Sequence, residues 1–215
     1  MLVFSTAKLV FLSVPKTGST AYQASLVPLA AIAVTTPPEL KHAPVFRYNR
    51  FFRPMIERFI APDVDVLAVM REPISWLGSW YRYRQRPAMA GTANSTQDLS
   101  FDDFVTAYCM GEQPGFARVG AQSKFLEPQR NGTCVTHLFR YEDQADLIRF
   151  LEQRLGTTIE IKHLNASPAR DLELSAKTEA RLRRKFSSDF ALWEGIGENG
   201  QYAPLPARRK PVSKT

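Results

Sequence analysis

Two short stretches carry residues whose types and spacing can do chemistry. The first, PKTGST (residues 15–20), sets Lys16 beside Thr17, Gly18, Ser19 and Thr20 directly after an apolar run. A cation, three hydroxyls and a glycine can cradle an anionic oxygen group, above all where a helix begins, because the unpaired N–H groups of its first turn face such a loop. A plain turn with a helix cap from Thr17 or Ser19 is the competing reading. The second stretch, MREPISWLGSWY (70–81), puts Arg71 at the end of another apolar run and Ser79 eight residues later. A guanidinium matches phosphate through two parallel hydrogen bonds, and a serine hydroxyl can complete the contact. Against this stand a salt bridge from Arg71 to Glu72 and an ordinary surface role for Ser79. Trp76 and Trp80, four apart, fit core packing better than a platform for a purine.

The elements that must position these residues alternate. KLVFLSV (8–14) and DVDVLAVM (63–70) are β-rich runs that end just before the two stretches, as strands buried on both faces do. TCVTHLFRY (133–141) predicts a third strand. Helices are predicted over AYQASLVPL (21–29), disturbed by Pro28, and over RYNRFFRPMIERFI (47–60), marked by Phe51, Met55 and Phe59 at four-residue spacing. ISWLGSWYRYRQR (74–86) follows Glu72-Pro73, where a first-turn proline is tolerated. SFDDFVTAYCM (100–110) has Ser100 as N-cap, EDQADLIRFLEQRLG (142–156) closes on Gly156, and LSAKTEARLRRKFSSDFALWE (174–194) is the last helical region. Residues 87–100 read as an exposed loop. Strand–helix alternation predicts an α/β fold of three layers, a central, mostly parallel sheet flanked by helices. Both stretches then fall at strand C-termini, where open α/β sheets bind ligands.

The chain has 215 residues, 44% of them hydrophobic, enough for one domain over 1–215 with a full core and a polar, basic tail from about 204. Its formal net charge of +7 favours an anionic ligand over a neutral or cationic one. Cys109 and Cys134 have no C-x-x-C spacing, which argues against a zinc site or a disulfide framework. The apolar N-terminus is interrupted by Lys8 and runs into Pro15-Lys16, unlike a signal peptide, and no run approaches the ~20 apolar residues of a membrane span. A cytoplasmic protein without a transmembrane segment is expected.

An ATPase loop spells G-x-x-x-x-G-K-[ST], and its second strand ends in an Asp that holds Mg²⁺. Here the lysine precedes a single glycine and the strand ends in Arg71. VPKTGST (14–20) and MREPISWLGSWY, in this order and with the R-x7-S spacing, resemble the 5′-phosphosulfate loop and the 3′-phosphate motif of sulfotransferases that use 3′-phosphoadenosine 5′-phosphosulfate, in the carbohydrate-type and bacterial branch. VGAQSKFL (119–126), LFRYEDQADLIRFLEQRLG (138–156), LNASP (164–168) and SSDFALW (187–193) extend the likeness more weakly. It implies a P-loop-like fold. It further implies that Lys16, Thr17, Gly18, Ser19 and Thr20 hold the 5′-phosphosulfate, that Arg71 and Ser79 hold the 3′-phosphate, and that no metal is needed. The basic-plus-glycine segment of cytosolic relatives has only a partial echo in ARRKP (207–211), and the chain begins almost at its first strand, without the anchor and stem of Golgi relatives.

In such an enzyme Lys16 would stabilise the bridging oxygen as the nucleotide leaves, and a base would take the proton of a hydroxyl-bearing small-molecule or glycan acceptor. His42, in ELKHAPV (39–45), is the candidate base, with Glu39 in reserve; a surface-loop imidazole is the alternative. Lys41 either steers an anionic substrate or is solvated. His137, inside an apolar strand, reads as a core residue, and His163 has no motif around it. Two other functions compete: a P-loop small-molecule kinase, and a non-catalytic module binding nucleotides or anionic polymers. Nucleic acid is not an expected partner.

Overall fold

A computed structural model describes residues 1–161 and 172–207. Five strands form one sheet: β1 (Leu2–Phe4), β2 (Leu9–Leu12), β3 (Ile32–Ala33), β4 (Asp65–Met70) and β5 (His137–Arg140), in the spatial order β3-β1-β2-β4-β5. The expected run 8–14 shortens to β2, and the run 133–141 to β5.

The expectation of a mostly parallel sheet needs correcting. β2, β4 and β5 are parallel neighbours, but β1 is antiparallel to both β2 and β3, so the sheet is mixed. The cause is local. Only residues 5–8 join β1 to β2, closed by a bond from Lys8 N to Ser5 O (3.1 Å), and so short a connection can reverse the chain but cannot cross over the sheet.

Ten helices are described: α1 (Ser19–Leu26), α2 (Pro38–Lys41), α3 (Val45–Arg47), α4 (Arg53–Phe59), α5 (Pro73–Arg84), α6 (Phe101–Tyr108), α7 (Gln122–Phe125), α8 (Gln144–Leu155), α9 (Ala176–Lys185) and α10 (Ser187–Glu194). A π turn, Tyr48–Phe52, fuses α3 and α4 into one helical segment. Pro28 sits in a 3-10 turn that ends α1, Ser100 caps α6 in a reciprocal capping box with Asp103, and Gly156 ends α8 at φ 67°. In none of the described helices is there a stretch long and apolar enough to cross a membrane.

Alternation along the strands supplies two buried faces. Val10, Leu12, Val66, Ala68 and Met70 pack against Val45, Tyr48 and Ile56 of the α3–α4 segment and Leu192 of α10. Leu9, Phe11, Leu67 and Val69 face Tyr22 and Leu26 of α1 and Leu147 and Leu151 of α8. The fold is thus α/β, a sheet between two helical layers. A further cluster of Trp76, Leu77, Phe104 and Leu182 holds α5, α6 and α9 together. Tyr202 and Leu205, partly buried, pack on the first face. Arg208, Arg209 and Lys210, like His163 and LNASP, lie outside the described residues.

Candidate anion-binding site

The three parallel strands end side by side, and each delivers a site residue. β2 runs through Ser13 and Val14 into the Lys16 loop, β4 is followed directly by Arg71, and β5 directly by Tyr141. The loop itself is tightly wound. Thr17 is buried and its hydroxyl donates to the Val14 carbonyl (2.9 Å), so this side chain braces the turn from within and does not face the cleft. Lys16 (φ 66°) and Gly18 (φ 74°) on either side of it are both left-handed. Glycine adopts that region freely; lysine does so only at a cost that the surrounding structure must sustain. Gly18 precedes α1 with no side-chain cap, so neither Thr17 nor Ser19 plays the capping role; its carbonyl accepts from Ala21 N (2.9 Å) and Tyr22 N (3.2 Å), which leaves the Ser19 and Thr20 N–H groups at the start of the helix to face the loop. Space also demands glycine here: a Cβ at Gly18 would lie 3.2 Å from Tyr141 and 3.3 Å from Tyr22.

The loop forms one wall of a cleft of about 740 Å³, a size suited to a nucleotide-scale ligand. Lys16, Gly18, Ser19, Thr20, His42, Arg71 and Ser79 all line it, which brings seven of the eight sequence-predicted site residues together. Lys41 lines it as well, its Nζ 3.4 Å from the Thr20 hydroxyl, whereas Glu39 is exposed and turned away. The wall opposite the loop is α5, which contributes Ser79, Trp80, Arg82 and Tyr83, with Arg86 just beyond its end.

Among the described residues no carboxylate lines the cleft, yet Lys16, Lys41, Arg71, Arg82 and Arg86 do, and none of the five forms a salt bridge there. Burial, then repulsion from Arg86, Arg71 and Arg82, pulls the Lys16 ammonium down from its ordinary 10.5 to about 8. Burial also lowers Arg71 and Lys41. Aromatic faces lie against two of the cations, Lys16 Nζ 4.2 Å from the Tyr83 ring centre and Arg71 4.5 Å from that of Tyr141, and the Glu142 and Glu72 carboxylates also favour the Arg71 charge from outside the cleft lining. The Trp80 indole N–H and Arg82 Nε are buried without a partner. Such an arrangement is complementary to a multiply charged anion.

Arg71 is held by its backbone. The fully buried Gln122 side chain accepts from Arg71 N (2.9 Å) and donates to Arg71 O (2.7 Å). Asp189, 2% exposed, in turn accepts from the backbone N–H groups of Gln122 (3.2 Å) and Ser123 (3.0 Å) and so fixes the start of α7. The side chain of Arg71 donates from Nε to Ser75 Oγ (2.8 Å) and makes no ion pair with Glu72, which caps α5 by accepting from Ser75 N (2.6 Å). The two tryptophans divide: Trp76 is core, its indole donating to Pro15 O (2.9 Å) and tying α5 to the loop, while Trp80 meets the cleft.

His42 Nδ1 lies 2.7 Å from the Ser13 carbonyl. A carbonyl can only accept, so Nδ1 carries the proton and Nε2 keeps its lone pair. Burial lowers the imidazole below its ordinary 6.5, outweighing the bond to Ser13, with Lys41 and Lys16 adding to the drop. The ring is therefore neutral at pH 7. His137, expected in the core, is half-buried at the start of β5, packed on Phe150 and 3.8 Å from Asp65.

Arg82, Tyr83, Arg86 and Tyr141 were not legible as site residues from the two motifs. A signal existed for three of them, because Ser79, Arg82, Tyr83 and Arg86 follow the i, i+3, i+4, i+7 spacing of one helix face. A second cleft of about 440 Å³ beside α8 is lined by Arg140, Asp143, Asp146, Arg149 and Glu198, but its charges already answer one another, as Arg149 does Asp146 at 2.9 Å. A scan of the chain against protein-family models gives no match, and a search of curated proteins gives none at a significant level.

Proposed function

We propose that this protein is a sulfotransferase of P-loop-like fold that moves a sulfuryl group from 3′-phosphoadenosine 5′-phosphosulfate to a hydroxyl acceptor, such as one on a saccharide. The observation that carries the reading is the basic cleft that joins the Lys16 loop to Arg71 and Ser79, with no carboxylate among the described residues that line it. Cations at the loop and at the end of β4, in one cleft, suit a ligand that carries phosphate groups at more than one position of a nucleoside. Ser19, Thr20 and the free N–H groups of α1 would bind the 5′ end, and Arg71 with the Ser79 hydroxyl the 3′-phosphate. Thr17 would act through the turn that it braces.

In the reaction the acceptor oxygen bonds to sulfur as the bond from sulfur to the bridging oxygen breaks. The electron pair stays with the leaving 5′-phosphate, and the acceptor proton passes to Nε2 of His42. Lys16, cationic at pH 7, would sit against the developing charge on the bridging oxygen. His42, with Nδ1 anchored on Ser13 and Nε2 unprotonated, has the tautomer that a general base needs. A magnesium-dependent kinase is less well supported, since among the described residues no carboxylate lines the cleft to hold the ion and β4 is followed by Arg71.

Calorimetric titration with 3′,5′-adenosine bisphosphate, run beside ATP with Mg²⁺, tests the proposal. The bisphosphate should bind without metal and more tightly than ATP, and Arg71→Ala should weaken it by about a hundredfold or more. Preference for ATP with Mg²⁺, or an Arg71→Ala variant that binds the bisphosphate like the wild type, would refute it.

A further inference from the structure

The helical segment from Val45 to Phe59 has two apolar stripes, and the core uses one. Tyr48 and Ile56 are buried, with Phe52 between them packed against the same core. One position earlier runs a second ridge, Phe51, Met55 and Phe59, and these side chains are exposed, Phe51 at 59% and Phe59 at 80%. The π turn, whose near-repeat is five residues, brings Phe46, also exposed, into line behind Phe51. Such a ridge is costly in water and calls for a cover.

Its charge complement says what kind. Arg47 lies over the Phe46 ring (5.6 Å) and Arg50 over that of Phe51 (5.3 Å), and Arg58 is exposed beside Phe59. Among the described residues no carboxylate pairs with these three arginines. The nearest acids in the chain are engaged or set apart: Glu57 with Arg53 (2.5 Å), Asp63 with Lys8 (3.1 Å), and Glu39 one element away on α2. Aromatic side chains interleaved with unpaired arginines on a helix that lies flat on the molecule are the chemistry of an anionic lipid surface, which buries the rings among acyl chains and leaves the guanidinium groups among headgroups.

We propose that this face docks on anionic membranes as a peripheral contact. It begins three residues after His42, and Arg47 donates to Glu39 O (2.8 Å), so the ridge shares a rim with the mouth of the cationic cleft. The proposal is independent of which anion the cleft binds.

Co-sedimentation of the full chain with vesicles of phosphatidylcholine alone, and of phosphatidylcholine mixed with phosphatidylglycerol, tests it. Binding should require the anionic lipid and weaken with salt. Phe51→Ser with Phe59→Ser should reduce binding by about tenfold per ring, with circular dichroism and bisphosphate affinity unchanged. Phe59→Ser alone, at the more exposed position, covers the case in which the double variant misfolds. Three outcomes would overturn the proposal: no sedimentation with anionic vesicles; equal sedimentation of the Phe variants, which would assign the binding to other basic groups; or a dimer in solution that the Phe substitutions dissociate, which would assign the face to a second copy of the chain.

Discussion

Lys16 should be a residue that the fold tolerates for the sake of its ligand, and Lys16→Met exposes the trade. The ammonium falls from 10.5 to about 8 because burial and three arginines disfavour its charge. That drop corresponds to about 3 kcal/mol of destabilisation at neutral pH. Methionine keeps the length of the side chain but also gives up the contacts over Tyr83 (4.2 Å) and Trp80 (5.6 Å), worth about 1 kcal/mol. The net gain in the unliganded protein is then about 1–2 kcal/mol, a rise in Tm of about 2–6 °C for a chain of this size. The pH dependence has a definite sign. The folded pKa lies below the unfolded one, so between pH 8 and 10.5 the unfolded chain holds more protons and wild-type stability climbs with pH. The variant lacks this climb, so its advantage should be gone by about pH 10. Thermal unfolding followed by circular dichroism at the two pH values, with and without 3′,5′-adenosine bisphosphate, measures all of this. Added bisphosphate should reverse the order, stabilising the wild type more. A variant less stable than wild type at pH 7, or one with the same pH slope, would show that Lys16 is not under electrostatic strain.

The remaining predictions concern the base and the Arg71 support. The rate of transfer should fall as pH drops through the His42 pKa, below 6.5, and again above about 8 as Lys16 loses its proton, and His42→Asn should abolish the acid limb of the kcat/KM profile. Gln122→Met removes both bonds to the Arg71 backbone while Asp189 keeps its backbone donors. It should cost about 1–3 kcal/mol of stability and weaken bisphosphate binding about tenfold; a lowered Tm with unchanged affinity would make the clamp purely structural.

Much of the fold was legible because its signals are local. Pro28, Ser100 and Gly156 each act within a turn of their own position, and the helix ends fall where they place them. β1 was not legible, since three residues are too short for a periodic signal and its place in the sheet comes from a hairpin with β2. The π turn was equally hidden: spacing marked the segment 47–60 as helical but could not say that the stripe of Tyr48 and Ile56 would win the core and leave Phe51, Met55 and Phe59 outside. At the site, the loop and Arg71 announced themselves by residue type at strand ends. Thr17 did not reveal its inward turn, because a hydroxyl's partner is set by backbone geometry, and Tyr141 and Gln122 reach the site only through tertiary contact.

Where the chain departs from rules obeyed elsewhere is itself informative. Lys16 holds a left-handed backbone that suits glycine, and five basic residues share a cleft with no carboxylate among the described residues that line it. Four buried side-chain polar atoms among the described residues lack a partner, and two of them, on Trp80 and Arg82, belong to residues that line this same cleft. Backbone strain, like-charge repulsion and unmet hydrogen bonds are separate costs, and a sequence selected for stability alone would have no reason to place them together. One ligand relieves most of them at once: an anion with several oxygens neutralises the cations, accepts from the loop N–H groups that the left-handed turn presents, and gives Arg82 an acceptor. Among the described residues the cleft holds no negative charge to answer its cations, and that is the charge the proposed ligand would bring.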